Sequence, residues 1–194
     1  GVNWFNISDD YFKTSSVGAI AVADSDSRII YVGMGEHAPR GVTTSYGDGV
    51  YKSIDSGETW EHIGLEETQQ ISRIIIHPED PNVVFVAAQG AINGPTKERG
   101  IYKSIDGGKT WSNKLFVNQL TGASELSIDY NNPKILYATM WKHQRLPWQV
   151  ISGGQGDGVY KSIDGGNNWF KIENGLPSEL GKMAVSVSRA NSDK

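Results

Sequence analysis

The chain contains no cysteine, which excludes a disulfide framework and any thiolate metal site. It also lacks a dominant charge. Net charge is −4, with 18 Lys and Arg against 22 Asp and Glu scattered along the sequence, so no basic footprint for nucleic acid is present. No apolar run approaches the roughly 18 residues that a membrane-spanning helix needs. Helical periodicity is nearly absent as well. No Ser/His/Asp order, phosphate-cradling loop or His-rich ligand spacing stands out. Absence of cysteine does not locate the protein. Because the sequence starts at Gly1 rather than Met, any signal peptide is expected to be gone already.

What is present is glycine, 23 of them, and one stretch written three times. Gly49–Trp60 reads Gly-Val-Tyr-Lys-Ser-Ile-Asp-Ser-Gly-Glu-Thr-Trp, and closely similar stretches stand at Gly100–Trp111 and Gly158–Trp169. The equivalent serines, Ser53, Ser104 and Ser162, lie 51 and 58 positions apart. A period near fifty residues without helical pattern points to a propeller or a similar array. Within each copy, alternation up to the serine predicts a strand. Gly57, Gly108 and Gly166 supply a turn that needs positive φ. Asp55, Asp106 and Asp164 accept turn amides. Trp60, Trp111 and Trp169 open the returning strand and bury their rings.

The rest of the chain repeats around these copies. An apolar strand, a tight polar turn and a second strand recur as Val17–Val22, Asp24–Ser27 and Ile29–Met34, then as Ile71–Ile76, His77–Asn82 and Val83–Ala88. The third set is Ala123–Ile128, Asp129–Pro133 and Ile135–Met140. Each unit therefore reads strand A, turn, strand B, long loop, strand C, box, strand D. The expected fold is all-β: a β-propeller of four-stranded antiparallel blades spanning 17–65, 71–117 and 123–174. Residues 1–8 read as the last strand of a preceding blade, because Trp4-Phe5-Asn6-Ile7 matches Trp60-Glu61-His62-Ile63. Residues 181–194 read as the start of a following one. Propellers close with about 4–8 blades, so this arc is expected to be a piece of a larger propeller. Remaining blades, or a second copy, would be needed to close the ring.

In up-and-down blades the A–B and C–D turns share one face, and the B–C and D–A loops share the other. His77 falls on the first face and reads as a turn residue. Long loops on a rigid scaffold carry function more often than tight turns do. Those loops hold Glu36, His37 and Arg40; Glu98 and Arg99; and, in the longest, Trp141–Gly156, His143, Arg145 and Trp148. An aromatic face beside forked donors suits a sugar ring, a peptide carboxylate or a protein surface. Trp148 equally suits an anchor for its own loop, and Trp141 reads as a packing residue.

Ser-x-Asp-x-Gly-x-Thr-Trp resembles the Asp-box, or bacterial neuraminidase repeat, with Asn168 replacing the threonine in the third copy. That resemblance implies a structural turn between the third and fourth strands of a propeller blade. Ser53, Asp55, Gly57 and Trp60, with their counterparts Ser104, Asp106, Gly108, Trp111, Ser162, Asp164, Gly166 and Trp169, are then scaffold. Gly33-Met34-Gly35-Glu36, Glu98-Arg99-Gly100, Arg145-Leu146-Pro147-Trp148 with Ser152-Gly153-Gly154, and Gly175-Leu176-Pro177 with Leu180-Gly181-Lys182 are similar to large bacterial proteins labelled glycosyl-hydrolase BNR-repeat or sortilin-like. The resemblance covers nearly the whole chain and implies an extracytoplasmic propeller. It does not by itself imply an activity.

Two functions are expected from this. In the first, the chain is a binding scaffold for carbohydrate, peptide or protein, using Arg40, Arg99, His143, Arg145 and Trp148. In the second it belongs to a glycoside hydrolase, whose two carboxyl groups stand about 5–5.5 Å or about 6.5–9.5 Å apart. Glu36 and Glu98 are the catalytic candidates; Arg40 and Arg99 nearby make ion pairing the plainer role. Asp48 and Asp157 share a repeat position and read as turn residues. The Phe-Arg-Ile-Pro motif of sialidases is missing, no arginine triad is evident, and Gly47-Asp48-Gly49 does not reproduce the Asp-x-Gly-Gly of xyloglucan-active Asp-box enzymes. No cofactor or metal is expected; Asp24–Asp26 could hold calcium but lacks EF-hand spacing.

Overall fold

The computed structural model describes residues 1–37 and 44–192. Three antiparallel sheets follow one another along the chain. The first comprises β1 (Val17–Val22), β2 (Ile30–Met34), β3 (Val50–Ser53) and β4 (Glu61–His62), paired in sequence order. The second comprises β5 (Ile71–Ile76), β6 (Val84–Ala88), β7 (Gly100–Ser104) and β8 (Ser112–Leu115), again in order. The third joins β9 (Thr121–Ile128), β10 (Leu136–Leu146), β12 (Gly158–Ser162) and β13 (Phe170–Ile172), with β11 (Gln149–Ser152) added on β10. Each sheet is the up-and-down blade of a propeller.

The repeated turn explains itself atom by atom. Ser53 Oγ donates to Asp55 Oδ1 at 2.7 Å and accepts the Gly57 amide at 2.8 Å. Asp55 then accepts the Thr59 amide at 2.9 Å and its hydroxyl at 2.6 Å. Ser104 and Asp106 repeat the pattern with Gly108 and Thr110. In the third copy the Asn168 side-chain amide donates to Asp164 Oδ2 at 2.7 Å, standing in for the missing hydroxyl. Gly57, Gly108 and Gly166 have φ of 91°, 93° and 78°, a region in which a side chain is strained.

Blades are joined by apolar packing and by recurring polar contacts. Tyr31 and Val50 meet Ile74, Ile76 and Val84 in one core. Phe85, Ala87 and Ile101 meet Leu126, Ile128 and Leu136 in the next. A register slip recurs in each first strand, at Gly18, Ser72 and Ser124. Such a bulge re-aims the extra residue, and here it aims at the following blade. Ser72 Oγ donates to Ala123 O at 2.8 Å, and Ser124 Oγ to Met183 O at 3.2 Å. At Gly18, a Cβ would collide with Ile71 O.

Met183 thus holds the place of Ala123 one blade on, although residues 181–192 form no strand. Likewise residues 1–7 form no strand, and Trp4 and Phe5 are exposed. Yet Ile7 O accepts Trp60 Nε1 at 3.0 Å, just as Ile63 O accepts Trp111 Nε1 at 2.8 Å. Trp169 departs from this pattern and donates to Gly166 O of its own turn at 3.3 Å. His77 lies in its turn and accepts the Glu79 amide at Nδ1, 3.2 Å.

The third B–C connection, expected as a long loop over Trp141–Gly156, is corrected to a hairpin over much of that span. β10 runs on through Leu146, turns at Pro147 and Trp148, and returns as β11, with Leu146 opposite Gln149 and His143 opposite Ser152. Alternation carries it: Trp141 and His143 are buried, while Lys142 and Gln144 between them are partly exposed.

Candidate functional site

Three B–C connections lie side by side on one face and are tied together. Asn93 Nδ2 donates to Tyr46 OH at 2.7 Å, and Gln144 Nε2 donates to Asn93 O at 3.3 Å. The Arg145 amide donates to Ile92 O at 2.6 Å. The hairpin is therefore held against the second loop, and the second against the first. Trp148 projects from the hairpin tip, 79% exposed, without serving as an anchor. Tyr46 is 50% exposed on the same face.

Arg99 does not reach that face. It is fully buried, and its guanidinium donates to the carbonyl oxygens of Gln89 at 2.7 Å, of Gly94 at 3.1 Å and of Ala91. Among the described residues no carboxylate pairs with it. Burial pulls its pKa down to about 10. The expected ligand role and the expected pairing with Glu98 are both corrected: Arg99 is the pin that folds the second loop over itself. One signal for this lay in the repeat. Glu98-Arg99-Gly100 occupies the register of Gly47-Asp48-Gly49 and Gly156-Asp157-Gly158, so Arg99 stands at a turn position.

His143 is also withdrawn. Its ring is fully buried, packed 4.4 Å from Trp141. Burial, reinforced by the nearby positive charges of Arg99, Lys182 and Arg145, depresses its pKa to about 4. A neutral, enclosed imidazole is no ligand contact, which corrects that expectation too. Trp141 packs as expected, donating from Nε1 to Ser152 Oγ at 3.1 Å.

The candidate carboxylates are held locally. Glu36 Oε2 accepts the Ser45 amide at 3.3 Å; Arg40 lies outside the described residues. Glu98 Oε2 accepts the Tyr102 hydroxyl at 2.9 Å. Asp48 accepts the hydroxyls of Thr14 at 3.0 Å and Tyr51 at 2.6 Å. Asp157 is buried and accepts the backbone amides of Lys142 at 2.5 Å and Gly154 at 3.0 Å. Burial raises its pKa, and those two amides oppose the rise. Asp26 pairs with Arg28 at 2.7 Å, and Asp24 faces Arg189 at 3.7 Å, so both acidic ends of the Asp24–Asp26 turn face arginines. Among the described residues, no cluster of three or more His, Asp or Glu is placed to hold a metal.

One feature of this face escaped the sequence. Two clefts, of ≈ 900 and ≈ 420 Å³, meet at Gln155. Their walls come partly from the short D–A connections, which carry no repeat signature. Gly175-Leu176-Pro177 was the available hint. A third cleft, of ≈ 550 Å³, runs between β1, β5, β9 and residues 184–187 along the propeller axis, with Arg73 and Glu125 paired at 3.3 Å within it.

Known proteins agree with this architecture. The xyloglucanase Xgh74A of Acetivibrio thermocellus is 29% identical over 139 residues, covering 64% of this chain and 15% of the relative. The chain thus matches only a small part of the length of that curated relative. Among solved structures, an ancestral GH74 enzyme superposes with a TM-score of 0.67 at 18% identity, over 91% of this chain and 22% of that one. The Niastella koreensis GH74 enzyme gives 0.56 at 21% identity, over 81% and 22%. These likenesses establish the propeller fold. Among the described residues no helix is long and apolar enough to cross a membrane. The family model described as "Sortilin, neurotensin receptor 3" matches residues 48–192, the span holding all three boxes, and the chain accordingly belongs to the Sortilin-Vps10 family.

Proposed function

We propose that this chain is an Asp-box propeller module of an extracytoplasmic protein and serves as a binding scaffold through its B–C loops. Carbohydrate is the ligand class that suits it best. Trp148 carries the reading. Its ring is presented to solvent at 79% exposure, and it tops a hairpin that the second loop fixes in place. A preorganised aromatic platform loses little entropy on contact with a sugar face. Arg145, three residues before it, supplies a forked donor for hydroxyls. The name of the curated relative, a xyloglucanase, adds support for a glycan ligand.

Calorimetric titration with xyloglucan oligosaccharides tests the reading. Trp148→Ala is expected to weaken binding about tenfold, or about 1.4 kcal/mol, with the thermal midpoint unchanged. Equal affinity in the variant, or no binding by the parent, sinks it.

The same relative's name favours a second reading, part of a glycoside hydrolase with Glu36 or Glu98 as acid or nucleophile. Sugar release by the protein, abolished in Glu36→Gln or Glu98→Gln, would establish it. Full activity in both variants would remove these carboxylates from the chemistry.

A further inference from the structure

The sequence holds two Asn-Gly pairs, Asn93-Gly94 and Asn174-Gly175, and the fold treats them in opposite ways. An asparagine followed by glycine can modify itself. The glycine amide nitrogen attacks the side-chain carbonyl carbon, the Cγ–Nδ2 bond breaks, and ammonia leaves with the proton of the attacking nitrogen. The cyclic imide so formed takes up water and opens at either carbonyl, giving aspartate or isoaspartate. Glycine favours the step because no Cβ obstructs the approach. The main chain must also rotate to bring the two atoms together.

Asn93-Gly94 is latched. Three consecutive carbonyl oxygens accept hydrogen bonds there: Ile92 from the Arg145 amide at 2.6 Å, Asn93 from Gln144 Nε2 at 3.3 Å, and Gly94 from the Arg99 guanidinium at 3.1 Å. The Asn93 side-chain amide itself donates to Tyr46 OH at 2.7 Å. Rotation within this pair therefore requires the second loop to open locally first.

Asn174-Gly175 is open. Both residues are exposed, and among the described residues no hydrogen bond engages either of them. A Cβ built on Gly94 or on Gly175 would meet nothing within 4 Å, so hydrogen bonding, and not space, distinguishes the two pairs. The Asp-Gly pairs of the boxes, Asp106-Gly107 and Asp164-Gly165, are protected by their chemistry. Turn donors hold both carboxylates ionised, and an ionised oxygen is a poor leaving group.

We propose that Asn174-Gly175 is a site of spontaneous deamidation in the folded protein, and that the contacts of the second loop protect Asn93-Gly94 from the same reaction. The product changes the loop face. Glu173 and Leu176, on either side of the reactive pair, line the ≈ 900 Å³ cleft. Aspartate at position 174 sets a second carboxylate beside Glu173, and isoaspartate also lengthens the main chain by one methylene. One wall of the cleft is thereby redrawn as the protein ages.

The test incubates the whole chain in mildly alkaline buffer and follows its tryptic peptides by mass spectrometry, with isoaspartate read by enzymatic methylation. Asn174 is expected to convert at least about tenfold faster than Asn93, because several hydrogen bonds must yield before Asn93 can react. In urea, which removes the fold, the two rates should converge. Gln144→Ala and Tyr46→Phe each undo part of the latch and should speed conversion at Asn93 while leaving Asn174 unchanged. Asn174→Gln should abolish conversion at its own position. Equal rates at the two pairs in the folded chain, an Asn174 that reacts only in urea, or an Asn93 rate indifferent to both latch variants would overturn the proposal.

Discussion

Lys103, in the second blade, donates from Nζ to the carbonyl oxygen of Gly165, in the turn of the third, at 2.7 Å. Lys52 makes the same reach from the first blade to Gly107 O of the second, at 3.1 Å. Both ammonium groups also lie over an aromatic ring of their own blade, Phe85 at 5.5 Å and Tyr31 at 5.2 Å. The lysine of the repeated stretch is therefore a joint between neighbours.

Lys103→Met keeps the stem and removes the donor. A charge-assisted bond at a half-exposed site is worth about 1–2 kcal/mol. Urea unfolding should show that loss, and Lys52→Met a similar one. An unchanged midpoint in both variants would reduce the joint to a surface contact.

Arg99→Met should cost more, about 3 kcal/mol, since it strands the carbonyls of Gln89, Ala91 and Gly94 that the guanidinium now satisfies. Arg99→Lys should rescue little, because an ammonium lacks the planar fork that reaches three acceptors. Proteolysis within residues 89–99 is the sharper readout: both variants should be nicked there, and the parent should not. Full resistance in both would argue against the pin.

The box carboxylates set an acid limit. Hydroxyl and amide donors from Thr59 and Thr110 hold Asp55 and Asp106 at about 2, and the Asn168 backbone amide leads a similar depression of Asp164. A carboxylate with a depressed folded pKa stabilises the fold above its unfolded value, and that contribution fades as pH falls through the folded one. Thermal midpoints should therefore drop between about pH 4 and pH 2. Asp106→Asn should start lower at neutral pH and fall less steeply. A parallel pH profile in that variant would contradict the assignment.

His143 acts in a higher window. Its folded pKa of about 4 lies below the ordinary 6.5, so the unfolded chain takes up a proton first as pH falls. Stability is complete above about pH 6.5 and is lost progressively toward pH 4. Arg99, Lys182 and Arg145 are the charged groups that bear on the ring, and all three oppose its protonation. Protection factors of the amides in β10 and β11, which divide out the intrinsic pH dependence of exchange, should fall as pH is lowered over this range, and His143→Phe should abolish the change. Protection factors that ignore pH in the parent would rule it out.

Much of the fold was legible because the box signals itself locally. Ser53, Asp55 and Gly57 complete each other within five positions, so the motif survives any change of neighbour and marks its strands by spacing alone. The loop face was less legible because polarity there does not report exposure. Arg99 and His143 are polar but buried; the first is satisfied by carbonyls and the second is kept neutral. Neither condition can be read from residue type. Trp148, apolar and exposed, inverts the same rule. The hairpin of β10 and β11 was hidden by its polar half: Lys142, Gln144 and Gln149 resemble loop composition while alternating as a strand. Gln155 could not be recognised as a junction, since its two clefts draw walls from connections far apart in sequence.

The lysine joint has a consequence for how such a chain grows. Lys52 and Lys103 address main-chain oxygens, and the bulged Ser72 and Ser124 do so as well. Every blade offers those oxygens in the same place, whatever side chains it carries. These polar joints of a duplicated blade can thus form without matched changes on both sides, and only the apolar packing between blades has to be fitted, leaving the B–C and D–A loops free to diverge. Copy number and loop chemistry become separate variables in the history of the protein.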